Sequence, residues 1–204
     1  MAKRERRKLK ITCTSSDCHN ELHCFKATAA MKRNNESGRC RACGVDLIDW
    51  NRLYEKNISD VRHTFEALKQ ELIRHHYWHV GISQRAENYA RRKGLTGIQE
   101  AAERVLRKNV SPVDNPYDGR QTPMAESGNA NAIHYAQHAT ATCCRKCMEY
   151  WHNILTDREL SSSEIRYFVE LILLYIKDKM PFLKEEGEKV PPIRRKSMIG
   201  EEAD

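Results

Sequence analysis

The sequence predicts a mainly α protein: a compact helical domain with an N-terminal cysteine-rich zinc-knuckle module and long irregular loops. Three observations predict it. Apolar residues recur at helical spacing from Val61 onward, capping signals open several of those segments, and the eight cysteines crowd into residues 13–43 and 143–147.

Along the chain, residues 1–12 read as a flexible basic arm, six of the first ten being Lys or Arg. Residues 13–57 form the cysteine-rich module and 58–183 the helical core domain. Residues 184–204, charged and carrying Pro191-Pro192, have too little apolar surface to fold and read as a disordered tail.

Within the core, Val61, Phe65, Leu68 and Leu72 fall at i, i+4, i+7 and i+11, which predicts one amphipathic helix from about residue 60 to 79. Ser83 is a cap for a second helix ending at Gly94. The Thr96-Gly97-Ile98-Gln99 box opens a third, running through about Arg107. Residues 111–136 collect much of the Pro, Gly and Asn and read as a long loop. Residues 142–151 read as helical. The box Ser161-Ser162-Ser163-Glu164 opens the last helix, whose core face runs through Ile165, Phe168, Ile172 and Ile176 until Pro181 ends it.

The longest apolar run, residues 168–176, is interrupted by Glu170 and far short of the roughly 20 residues a bilayer span needs. With no apolar leader after the basic start, the expected location is the cytoplasm, with no membrane partner. Thiols there stay reduced, so clustered cysteines read as metal ligands or reactive groups rather than disulfides.

Lys and Arg number 35 against 28 Asp and Glu, a formal charge of +7. Arg91, Arg92 and Lys93, Arg107 and Lys108, with Arg120 on the long loop, are the basic groups expected to meet nucleic acid. A solubility surface is the ordinary alternative. Nothing identifies a protein partner.

In the N-terminal module, Cys40-Arg41-Ala42-Cys43-Gly44 has zinc-knuckle form. Two residues between thiolates let one tight turn present both sulfurs to an ion, and the glycine lets backbone amides point at them. Cys18 and Cys24 complete a four-cysteine set, with Cys13, His19 and His23 near enough in sequence to leave the ligands open. A second site is expected in QHATATCCRKCMEYWH, residues 137–152. There His138, Cys144 (or its neighbour Cys143), Cys147 and His152 are the candidate ligands, so one or two zinc ions are expected. On a helix Cys143 and Cys144 face different directions, so one of them is expected to be spare. A reactive thiol beside Arg145 and small buried thiols packed on Trp151 are the competing readings.

The run YAQHATATCCRKCMEYWHNI, with DGRQTPM upstream, resembles the family of bacterial and phage proteins named only as domain of unknown function 4186. The resemblance covers about residues 60–180, and it implies no reaction. Walker A, dinucleotide-glycine, HExxH and GxSxG motifs are absent, and the zinc-deaminase pattern is not met, since Ala139 and Thr140 follow His138 and Cys143 stands where proline belongs.

Two further features carry candidate chemistry. His75 and His79 lie at i, i+4, a spacing that suits a metal pair or an ordinary helix end, and His79 is a candidate extra ligand of the second site. On the loop, Asp118 can orient a clamp at Arg120 or act as a base, or the two can form an ordinary Asp-Gly turn with an ion pair. Two functions follow. One is a zinc-stabilised module binding nucleic acid through basic patches, with Trp50, Trp78 and tyrosines to stack on bases. The alternative is a metal-dependent, nuclease-like hydrolase at His138/Cys144/Cys147/His152, with Asp118, Arg120, His138 and Cys143 as catalytic candidates.

Overall fold

The structure is a computed structural model describing residues 11–115 and 118–191. The predicted basic arm lies outside them except for residues 11 and 12, as does the predicted tail beyond residue 191. Eight α-helices occur among the described residues, with no strand longer than an isolated bridge.

The helices of the core begin with α3 (Val61–Leu68) and α4 (Leu72–His79), where one continuous helix is predicted. The break has a tertiary cause. Glu71 is extended, with φ −92° and ψ 127°, and its neighbours exchange backbone hydrogen bonds with His23: His23 N to Gln70 O at 2.8 Å and Leu72 N to His23 O at 2.9 Å. Pairing with the N-terminal segment therefore overrides the helical periodicity.

The next helix, α5 (Gln84–Val105), starts where predicted, with the Ser83 hydroxyl accepting from Ala86 N. It merges the second and third predicted helices across Gly94, whose φ of 64° and ψ of 177° are open essentially to glycine alone. The amides freed by that kink are satisfied from the far end of the chain: Leu95 N donates to Lys184 O and Thr96 N to Glu185 O. Residues 184–188 thus lie against α5, with Glu188 on Arg91 at 2.6 Å.

A π-helical turn, Leu106–Val110, ends α5. The loop that follows is shorter than predicted, because α6 (Ala132–Ala139) begins under a capping box between Asn131 and His134. Next come α7 (Arg145–His152) and α8 (Ser162–Lys179), the latter under the predicted Ser161/Glu164 box. Helix α8 packs against α3, α5 and α6, and α4 against α6. Ile165, Phe168, Ile172, Tyr175 and Ile176 are buried along its face.

Two one-turn helices, α1 (Ala29–Arg33) and α2 (Trp50–Tyr54), lie in the cysteine-rich segment. That segment shares the core: Phe25 sits edge-on to Trp50 and Trp151, each at 5.8 Å. Among the described residues no helix is long and apolar enough to cross a membrane.

Candidate metal centres

The first centre is assembled from two turns. A bridge between Asp17 and Leu22 folds the chain back on itself, bringing Cys18 and His23 together. The Cys40–Gly44 turn, closed by Gly44 N to Cys40 O at 2.8 Å, supplies Cys40 and Cys43. The four donor atoms lie within 4.8 Å of one another. Cys18 Sγ is 3.7 Å from Cys40 Sγ, and Cys43 Sγ is 3.5 Å from His23 Nδ1. A tetrahedral ion with bonds of about 2.3 Å to sulfur and 2.0–2.1 Å to nitrogen needs edges of roughly 3.8 and 3.6 Å. The donor set fits such an ion.

Electrostatics favour the same site. Burial opposes ionisation of Cys40, but backbone hydrogen bonds from Cys24, Cys43 and Ala42 and a bond with His23 bring its thiol down to about 6. Burial, then the neighbouring thiols of Cys43 and Cys40, pushes Cys18 up to about 11, so protons occupy positions an ion would take.

Of the residues expected here, Cys18, Cys40 and Cys43 are brought together and Cys24 is not. His23, noted from the sequence only as a neighbour, stands in the fourth position. Along an extended segment consecutive side chains point to opposite sides, so only one of His23 and Cys24 can face the ion. The Cys24 thiol instead donates to Cys13 O at 3.4 Å.

The second group comprises Cys143, Cys144 and Cys147, whose sulfurs also lie within 4.8 Å of one another, all buried. The expectation that Cys143 and Cys144 diverge rested on a helix running through both. In the structure α7 begins at Arg145, the chain bends at both cysteines, and the two thiols meet Cys147 together.

His138 and His152 do not turn to this group. His138 lies on α6, and its Nε2 donates to Thr122 O at 3.3 Å. His152 Nε2 donates to Thr140 O at 3.0 Å. Burial, foremost, lowers them to about 4 and about 3, so both are neutral. His79 Nδ1 is bonded to His75 O at 2.8 Å, and the two imidazoles stack at 3.9 Å.

The long loop serves as a brace for the cysteines. Asp118 Oδ1 accepts from Arg145 N at 2.8 Å, capping α7 from outside, and Thr122 Oγ1 donates to Cys143 O at 2.8 Å. Arg145, expected beside a reactive thiol, sends Nη2 to the carbonyls of Leu155 and Arg158. Cys143 stays well above its ordinary value because it shares protons with Cys144 and Cys147 and is buried. Arg120 stands apart, lining a shallow cleft of about 320 Å³ with Lys108, Asn109, Asn115 and Gln121.

Sequence reasoning missed a buried ion pair beneath the cysteines. Glu71 and Arg74, both fully buried, meet at 3.1 Å. Glu71 accepts from Trp151 Nε1 at 2.6 Å and from Tyr150; Arg74 donates to His138 O at 2.6 Å and to Cys147 Sγ at 3.2 Å. The i, i+3 spacing of Glu71 and Arg74 was the available signal, but such pairs are common on exposed helices.

Comparison with known families gives one result. A family model described as Domain of unknown function (DUF4186) matches residues 62–177, more than half the chain. The chain belongs to that family. The matched span of this DUF4186 protein takes in α3 to α8 up to residue 177, the bracing loop and the second cysteine group, while the first centre lies before it. No solved structure matches the chain.

Proposed function

We propose that this is a zinc-stabilised protein that binds nucleic acid. The observation that carries the reading is the Cys18/His23/Cys40/Cys43 tetrad. Two of its edges match those of a tetrahedral ion, all four donors lie within 4.8 Å of one another, and three sulfurs with one imidazole are a donor set suited to zinc. Four protein donors leave no open position, so the role there is structural.

The metal would order one wall of a cleft. Phe25, Lys26, Lys32, Tyr54, Lys146 and Tyr150 line a groove of about 290 Å³ between the cysteine-rich segment and α7. Lysines beside the half-buried rings of Tyr54 and Tyr150 suit a phosphate backbone with exposed bases, Phe25 being buried and Lys32 and Lys146 lying 3.8 and 4.0 Å from Glu149 and Asp118; the formal charge of +7 favours polyanions generally. Arg92, Lys93, Lys108 and Arg120 are the remaining sequence-derived contacts. Arg91 is engaged with Glu188 and Arg107 with Glu103, which reduces their availability. Trp78 is packed between Phe65 and Tyr175, so it is not available to stack on a base.

The hydrolase alternative has weaker support, since His138, His152 and Asp118 are each committed to backbone partners. The test pairs two measurements on the whole chain. Cys40→Ser should lose one zinc per chain by elemental analysis. Binding of fluorescent single-stranded oligonucleotides should weaken steeply with salt and fall further in a Lys26→Ala/Lys32→Ala/Lys146→Ala variant. No binding at low salt would sink the nucleic-acid reading, and an unchanged zinc content in Cys40→Ser would sink the structural-zinc reading.

A further inference from the structure

We infer that Cys13, Cys143, Cys144 and Cys147 form a second, all-thiolate zinc site, separate from the first, which staples the N-terminal segment to the start of α7. Three of its sulfurs are already within 4.8 Å of one another. The fourth comes from far away in sequence. The Cys13 thiol stands near enough to that of Cys147 for each to shift the other's ionisation, and the Cys13 carbonyl is held by the Cys24 thiol at 3.4 Å.

The arrangement repeats the design of the first centre. Both centres use a Cys-x-x-Cys spacing, Cys40 to Cys43 in the first and Cys144 to Cys147 at the start of α7. At α7 the turn is braced from outside by Asp118 on Arg145 N and Thr122 on Cys143 O.

Charge balance favours an ion. Four thiolates around one divalent cation carry a net charge of −2. Arg74 donates to Cys147 Sγ at 3.2 Å, and the N-terminus of α7 adds its partial positive charge. The guanidinium, already paired with Glu71, adds a donor to a Cys147 thiolate. The sulfurs of Cys143, Cys144 and Cys147, all within 4.8 Å of one another, are close enough to draw in to the roughly 3.8 Å edges of a mononuclear tetrahedron.

The site does not depend on nucleic-acid binding, nor on occupancy of the first centre. The test uses the full chain with zinc and cobalt(II) as the only probes. Wild-type protein should carry two zinc ions, a result that needs no variant; a single ion lost equally from Cys40→Ser and Cys147→Ser would overturn the proposal. Cobalt(II) bound to folded Cys40→Ser should report the second site alone, with the strong sulfur-to-metal absorption of four thiolates. Adding Cys13→Ser should reduce that absorption from four thiolates to three and weaken retention of the metal at least tenfold. Unchanged absorption would remove Cys13 from the site. An ion lost from Cys147→Ser but not from Cys40→Ser, with only one ion in the wild type, would support this site while defeating the zinc reading of the first.

Discussion

Glu71 is fully buried, yet it accepts from Arg74, Trp151 and Tyr150, and Phe25 N approaches it at 3.4 Å. Burial pushes its carboxyl upward, and the Arg74 guanidinium opposes that. Burial likewise works against the charge on Arg74, but Tyr150, Cys147 and Glu71 hold it well above its ordinary value. Removing one partner leaves the other charge buried and unpaired, which costs about 3–5 kcal/mol. Glu71→Gln is therefore expected to lower the unfolding free energy by that amount in urea titrations. Glu71→Gln combined with Arg74→Met should recover part of the loss. A loss below about 1 kcal/mol for the single variant would mean that the pair is not charged. At this scale the sequence was legible where spacing forces geometry, as in the Cys40–Cys43 turn. It was silent on the choice of His23 over Cys24, because that depends on which side of an extended segment faces the ion.

Elements set by local signals were legible: Ser83 and Ser161 cap α5 and α8 through hydrogen bonds three residues away. Elements set by distant partners were not. The break between α3 and α4 comes from His23, and the fusion of two predicted helices into α5 depends on a chain end about 90 residues downstream. That fusion gives a sharp expectation. A Cβ at Gly94 would approach Glu185 O to an impossible distance and would also force a side chain into a backbone region reserved for glycine. Gly94→Ala should cost at least about 1–3 kcal/mol from backbone strain alone. Amide exchange at Leu95 and Thr96, whose protection comes from Lys184 O and Glu185 O, should speed up at the same time. Loss of stability with those amides still protected would mean that residues 184–185 do not hold the kink.

Across the whole molecule, the family blocks gather in one place: the bracing loop, the cysteines and the end of α7 enclose two neutral histidines that join α6, α7 and the loop. His152 has a pKa of about 3 and His138 of about 4, both chiefly through burial, against about 6.5 in an unfolded chain. Between those values the unfolded chain binds protons that the folded one refuses. Their contribution is therefore fully present above about pH 6.5 and is lost as the pH falls towards 3–4, at about 1.4 kcal/mol per pH unit for each histidine. Metal ligands also protonate in acid, so the wild-type slope mixes two causes. His152→Phe separates them, because the ring sits against Phe168 and Tyr167 and no cysteine of either centre bonds to it. Urea unfolding of both proteins at several values between pH 7 and 4.5 should give a variant that starts less stable, having lost the bond to Thr140. It should then lose stability more slowly on acidification, by about 1.4 kcal/mol per pH unit. Parallel slopes would assign acid sensitivity to the metal centres instead.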